Sequence, residues 1–237
     1  MAIVGDFDDV ALEKLVDGLF GSWKSPRPYS RLVAVYQDIP VINHSLETPD
    51  KANAFFIAGI RLKLRDDDPD YPALVLGNYM LGGGVLNSRL ARRLRQKDGL
   101  SYGIRSSLNA SSFDSIGQFA VNAIYAPQNA ARVEAAFKEE ATRVLKDGFT
   151  LDEVAAAKSG YLQSRLLSRS QDQELASRLV SNLSLHRAFA WDADFELRIA
   201  ALTPLQIVEA FRRHLDLSRM TIIKAGDFAR TLASEKQ

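Results

Sequence analysis

The stretch LGGGVLNSRLARRLRQKDGLSYG, residues 81–103, concentrates residue types that can do chemistry. It holds Gly82, Gly83 and Gly84, a basic run from Arg89 to Lys97, and Ser101 within GLSYG, which fits G-x-S-x-G. Each feature suggests a reaction and makes a demand on its surroundings. A phosphate loop needs G-x-x-x-x-G-K-[ST], because the lysine and hydroxyl hold phosphate and metal. Here Val85, Leu86 and Asn87 follow the triplet, so that chemistry fails. The dinucleotide fingerprint fails too, since the segment before the glycines reads as helix rather than strand. The triplet reads as a flexible connection between helices.

The basic run reads as a helix, with Leu86, Leu90 and Leu94 forming a core stripe and Arg89, Arg93 and Lys97 on another face. Such a helix can meet phosphates. No nucleic-acid fold pattern accompanies it, however, and the formal net charge is only +1, so no nucleic-acid partner is expected. Ser101 precedes Asp192, Asp194 and His214, the chain order of an α/β-hydrolase triad. That mechanism needs a strand entering the serine and a helix leaving it. Here a helix, LARRLRQKDG, enters and a strand, SYGIRSSL, leaves, so the context opposes a serine hydrolase. The three histidines His44, His186 and His214 show no i+3 or i+4 pairing. His44 and Glu47 give H-x-x-E, but Thr48 stands where a second histidine would complete the inverted zinc motif. Asp66, Asp68 and Asp70 begin like a calcium loop, yet Pro69 interrupts and Tyr71 replaces the required glycine. Local spacing therefore assembles no metal site.

The elements that must position these residues follow from periodicity. IVGD (3–6) reads as a short strand, and Asp8 or Asp9 caps a helix bearing Leu12, Leu15, Val16 and Leu19 on one side. GSWKSPRPYSR reads as linker. LVAVYQ and NAFFIAGIRLKL read as strands, the second with Ala54, Phe56, Ala58, Ile60, Leu62 and Leu64 on one face. DDDPDYPALVLGNYML opens a helix, and SYGIRSSLNASS with SIGQFAVNAIYA reads as a hairpin of long strands. Beyond Pro127 the chain is mostly helical. Gly148 ends one helix, Thr150 and Glu153 form a capping box for the next, another begins near Asp172, and Thr203–Pro204 starts a last one. SRMTIIKAGDF returns as a strand. Strands and helices segregate, which makes the fold class α+β.

Composition sets the outer limits. A chain of 237 residues, 46% hydrophobic and 25% charged, buries a real core. Cysteine is absent, which removes disulfides and thiolate metal sites. No apolar run reaches the roughly 20 residues of a membrane span, and the acidic start MAIVGDFDDV does not read as a signal peptide. IVGDF at residues 3–7 is echoed by IKAGDF at 223–228, as if the chain were one period of a tandem duplication carrying the tail of a preceding copy.

The segment DPDYPALVLGNYMLGGGVLNSRLARRLRQKDGLSYGIRSS as a whole resembles the signature of the non-catalytic, C-terminal half of pitrilysin/insulinase-type zinc metallopeptidases, a group that includes the mitochondrial processing peptidases. The matching pieces are D-x-D before a helix, then L-G-G, S-R-L, L-R and G-L-S-Y-G in fixed order. Similarity runs over roughly residues 50 to 228. The resemblance implies a sheet covered on one face by helices. It also implies that residues 1–22 are the tail of the preceding homologous half, 23–30 a linker, and 31–237 the C-terminal peptidase-like domain. In the family the first half carries H-x-x-E-H and zinc. This chain lacks the motif, so no cofactor is expected in it, and zinc is expected in a partner half, in cis or in trans, with dimer-like pairing. The second half supplies an arginine and, seven residues later, a tyrosine to the bound peptide; Arg95 and Tyr102 match. The resemblance also implies Gly82, Gly83, Gly84, Ser88 and Arg89 as substrate-binding residues. A non-catalytic scaffold subunit is the alternative within the family. Bacterial relatives of this type are often exported, which points to the periplasm, with the cytoplasm as the alternative.

Overall fold

The side-chain alternation of FFIAGIRL needs one face of a strand buried, and the protein provides it. The computed structural model describes residues 1–229. Its centre is a five-stranded sheet of β1 (Asn43–Glu47), β2 (Ala54–Leu62), β3 (Ser101–Ala110), β4 (Gly117–Tyr125) and β5 (Thr221–Gly226), in the order β1-β5-β2-β4-β3. Only β1 and β5 pair in parallel; the other neighbours are antiparallel. Along β2, Ala54, Phe56, Ala58, Ile60 and Leu62 are buried, as the period of two requires. β3 and β4 form the expected hairpin. The class is α+β.

Helices cover the buried face. Besides α1 (Asp9–Phe20), which buries no residue, the helices are α2 (Tyr71–Asn78), α3 (Ala130–Asp147), α4 (Leu151–Ser168), α5 (Asp172–Ser184), α6 (Phe189–Ala201) and α7 (Pro204–His214). Phe137 of α3 meets Phe56 of β2 edge-on at 5.5 Å, and Phe149 meets Phe211 of α7 at 6.1 Å. Each such ring contributes about 1.5–3 kcal/mol by leaving water. The Thr150–Glu153 capping box opens α4, and Thr203 with Gln206 forms a second one at α7. Farther from the sheet, buried Asp192 of α6 receives Arg165 at 2.9 Å, Arg178 and Asn182, so its charge is compensated.

Three expectations need correction. IVGD (3–6) is not a strand, because no neighbouring chain offers it a ladder. LVAVYQ is not a strand either: residues 31–42 run as an irregular strap. Arg31 and the Ala34 amide both bind Asp114, and the Ile42 carbonyl accepts from Ile222 N at 2.8 Å. β1 takes the place beside β5. The basic run is not a plain α-helix. Val85–Asn87 forms a 3-10 turn, and Ala91–Lys97 is wound as a π-helix, closed by Asp98 N to Arg93 O at 3.0 Å. Leu86 consequently falls off the stripe and is 47% exposed, while Leu90 and Leu94 are buried. The helix expected after Asp8 does form as α1, with Asp8 capping it at 2.9 Å, and none of its residues is buried among the described residues.

Candidate functional site

Tyr102 stands where the sheet edge is irregular. Ser101 pairs with Tyr125 and Gly103 with Ile124, which leaves Tyr102 as the extra residue of a bulge in the edge strand β3. Ser101 pins the bulge from the buried side: its Oγ lies 2.8 Å from the Ile124 carbonyl and 3.0 Å from that of Gly103. The consequence is a phenol that is 86% exposed on a fixed backbone. Arg95 reaches it from the last turn of the π-helix, its guanidinium carbon 5.8 Å from the Tyr102 ring centroid. The helix-to-strand turn between them uses Gly99 at φ 61°, and Leu100 N donates to Leu94 O at 2.7 Å. Arg95 and Tyr102 are thus brought together.

The other residues singled out in the sequence serve the frame around that pair. Gly82 is buried against β3, where a Cβ would lie 2.5 Å from Ser106 Oγ and 2.6 Å from Ser106 N. A Cβ at Gly83 would lie 2.8 Å from Asn78 Nδ2, and one at Gly84 would lie 2.7 Å from Tyr79 O. Ser88 is buried at the start of the basic helix, its Oγ 3.4 Å from Ala91 N. Arg89 makes a two-pronged pair with Glu153 at 2.8 Å on both arms and lies 4.7 Å over the Phe149 ring. The Arg89 hydrogen bond outweighs partial burial and, with the Thr150 amide, holds the Glu153 carboxyl down at about 2. Arg89 therefore ties the basic helix to the start of α4.

No hydrolase triad forms. Ser101 bonds to backbone carbonyls, Asp192 is committed to arginines, and His214 Nε2 lies 3.0 Å from Asp70. Asp68, Asp70 and His214 are the one cluster of metal-ligating types among the described residues. Arg213 already forks onto both oxygens of Asp70, at 2.7 and 2.6 Å. A fixed guanidinium inside the donor set does not fit a zinc centre.

One feature was not singled out in the sequence. On the face of the sheet away from the helices, Leu46, Phe55, Ile57 and Ile124 are exposed. Register places Gly103, Ile124 and Phe55 in one row and Arg105, Asn122 and Ile57 in the next, so this surface begins beside Tyr102. The signal was present in FFIAGIRL, which is apolar on both alternating faces; a strand solvated on one side would be polar there.

Residues 1–161 match the family described as the peptidase M16 inactive domain. An uncharacterized zinc protease of Streptomyces coelicolor is 30% identical over 181 residues, which is 76% of this chain and 37% of that protein. The M16 inactive domain from Pseudomonas fluorescens superposes with TM-score 0.79 at 25% identity, over 94% of this chain and 52% of the other. A protease from Helicobacter pylori shares the fold, with TM-score 0.74 at 16% identity over 94% of this chain and 53% of the other. The chain thus spans little more than a third of its curated relative and about half of these solved chains. Among its described residues no helix is long and apolar enough to cross a membrane. With the ordered motifs of residues 81–103, the sheet they flank and the match over residues 1–161 agreeing, the chain belongs to the peptidase M16 inactive-domain family.

Proposed function

We propose that this chain is the substrate-clamping half of a two-half zinc metalloendopeptidase, with Arg95 and Tyr102 as the residues that touch the peptide. The observation that carries the reading is the pair itself: an exposed phenol projected by a bulge, with a guanidinium over its ring. Hydrolysis of a peptide bond builds negative charge on the scissile carbonyl oxygen. A pre-positioned phenol O–H can donate to that oxygen, and losing a donor of this type costs about 10²–10³ in rate. The Arg95 guanidinium offers several N–H donors to neighbouring peptide carbonyls, and it holds the ring in place meanwhile. Gly82, Gly83, Gly84, Ser88 and Arg89 serve the peptide by fixing the helix that carries Arg95.

The water-activating chemistry belongs, in this reading, to a zinc-bearing homologous half, on the same polypeptide or a separate chain. Residues 1–22 belong to that half, 23–30 connect, and 31–237 form the domain; the bare apolar side of α1 is what such a division would leave here. A periplasmic address is part of the proposal, and cell fractionation tests it. The direct test is metal content and peptidase activity of the chain alone and after addition of the zinc-bearing half. Activity confined to the pair supports the reading. Stoichiometric zinc or cleavage by the chain alone overturns it.

A further inference from the structure

The open sheet face has a chemistry of its own. Its rows run Leu46, Ala225, Phe55, Ile124, Gly103; then His44, Ile223, Ile57, Asn122, Arg105; and, on the central strands, on to Arg61 beside Gln118. No aspartate or glutamate occupies any of these positions. Most arginines elsewhere are held by carboxylates, but Arg61 and Arg105 on this face, and Arg95 at its edge, meet none among the described residues. The surface is therefore apolar in the middle and positive, without compensation from the described residues.

One cavity opens into it. The strap at residues 36–42 passes over β2 and β5 and leaves a space of about 350 Å³. Ile39, Ile42, Ile57 and Ile223 line it, and Arg61 with Gln118 stands at one end. Arg219, also at its wall, is already paired with Asp38 of the strap, so Arg61 is the cation available there. An apolar space ending in an uncompensated guanidinium suits an apolar side chain next to a carboxylate.

Sheet geometry fixes the distance to Tyr102. Arg61 lies six residues along β2 from Phe55, and β2 lies two strands from β3. At about 3.4 Å per residue and about 4.8 Å per strand, the offset is about 22 Å, the span of about six or seven extended residues.

We propose that the open face reads its substrate: an extended peptide puts an apolar side chain into the cavity under the 36–42 strap and an adjoining carboxylate on Arg61, about six or seven residues from the bond held at Tyr102. The cavity is thus a specificity site for acidic, apolar-ended peptides. The placement relative to the cut rests on the reading of Tyr102 above, whereas binding at the cavity does not.

The test uses a fluorescein-labelled extended peptide ending in Leu-Glu, with Leu-Gln, Ser-Glu and Leu-Lys versions. Anisotropy titrations on the 237-residue chain give affinity, and cleavage with the zinc-bearing half gives the cut position. Leu-Glu is expected to bind about tenfold more tightly than Leu-Gln or Ser-Glu. Arg61→Gln should erase the Glu preference, and Arg61→Glu should transfer it to Leu-Lys, a gain that misfolding cannot imitate. Equal binding of all four peptides, no measurable binding of any, or unchanged preference in both Arg61 variants overturns the proposal. It is equally overturned if those variants weaken pairing with the zinc-bearing half instead, since the cavity would then be covered. Arg61-dependent binding without cleavage by the pair upholds the cavity and sinks the Tyr102 reading. Cleavage at a bond far from six or seven residues away removes the stated register.

Discussion

Tyr102 gives up almost none of its surface to the fold, so its hydroxyl is free to work. Tyr102→Phe should leave the urea midpoint unchanged and lower kcat of the assembled enzyme about 10²–10³-fold, with KM little altered. Arg89 is the opposite case, a cation spent on structure. Glu153→Gln keeps the α4 capping box but removes the charge partner, and should cost about 1–2 kcal/mol, discounted for the solvent that reaches the pair. The pH dependence has a definite sign. Glu153 titrates at about 2 when folded and near 4.5 when not, so its contribution is present above about pH 4.5 and fades as pH falls toward 2. Urea unfolding of wild type and Glu153→Gln at pH 7, 4 and 3 should show the gap narrowing with acid; a constant gap would mean the charge pair is not what the substitution removed.

At the scale of elements, the helix-to-sheet contact through Gly82 is the most exacting. Gly82→Ala pushes a methyl into Ser106 Oγ and backbone N, and should destabilise by about 1–3 kcal/mol, read as a lower melting temperature. Such contacts also separate what the sequence made legible from what it hid. The alternation of β2, the β3–β4 hairpin and the Thr150–Glu153 box could be read because each is settled within a few residues. The glycine triplet read as a flexible connection, although its close approach to β3 depends on a strand more than twenty residues later. A 3.6-residue period puts Leu86 on the helical stripe with Leu90 and Leu94, but Leu86 lies in a 3-10 turn that the extended Ser88 separates from the helix, so it falls outside the stripe. IVGD and LVAVYQ have strand composition, yet a strand needs a neighbour, and β5 had already taken β1. Of the site, the Arg95–Tyr102 spacing was legible through the ordered motifs. The bulge that exposes the phenol and the cation-bearing open face were not, since both depend on register between strands distant in sequence.

The whole molecule is a sheet with one finished face and one unfinished one. Its helix side is packed, while the opposite side leaves Phe55, Ile57 and Ile124 in water beside Arg61 and Arg105, which meet no carboxylate among the described residues. A surface of that kind fits a chamber wall that a second half completes. A zinc-bearing half added to this chain should therefore create an activity that neither shows by itself. The most direct measurement is the rate at which the reconstituted pair cleaves a quenched fluorogenic peptide, compared between wild-type chain and Tyr102→Phe with pairing verified for both. Cleavage that requires both halves and falls about 10²–10³-fold in the variant is the expected result. Equal rates for wild type and variant would contradict a working role for Tyr102, and no cleavage by a folded, bound pair would make this chain a scaffold instead.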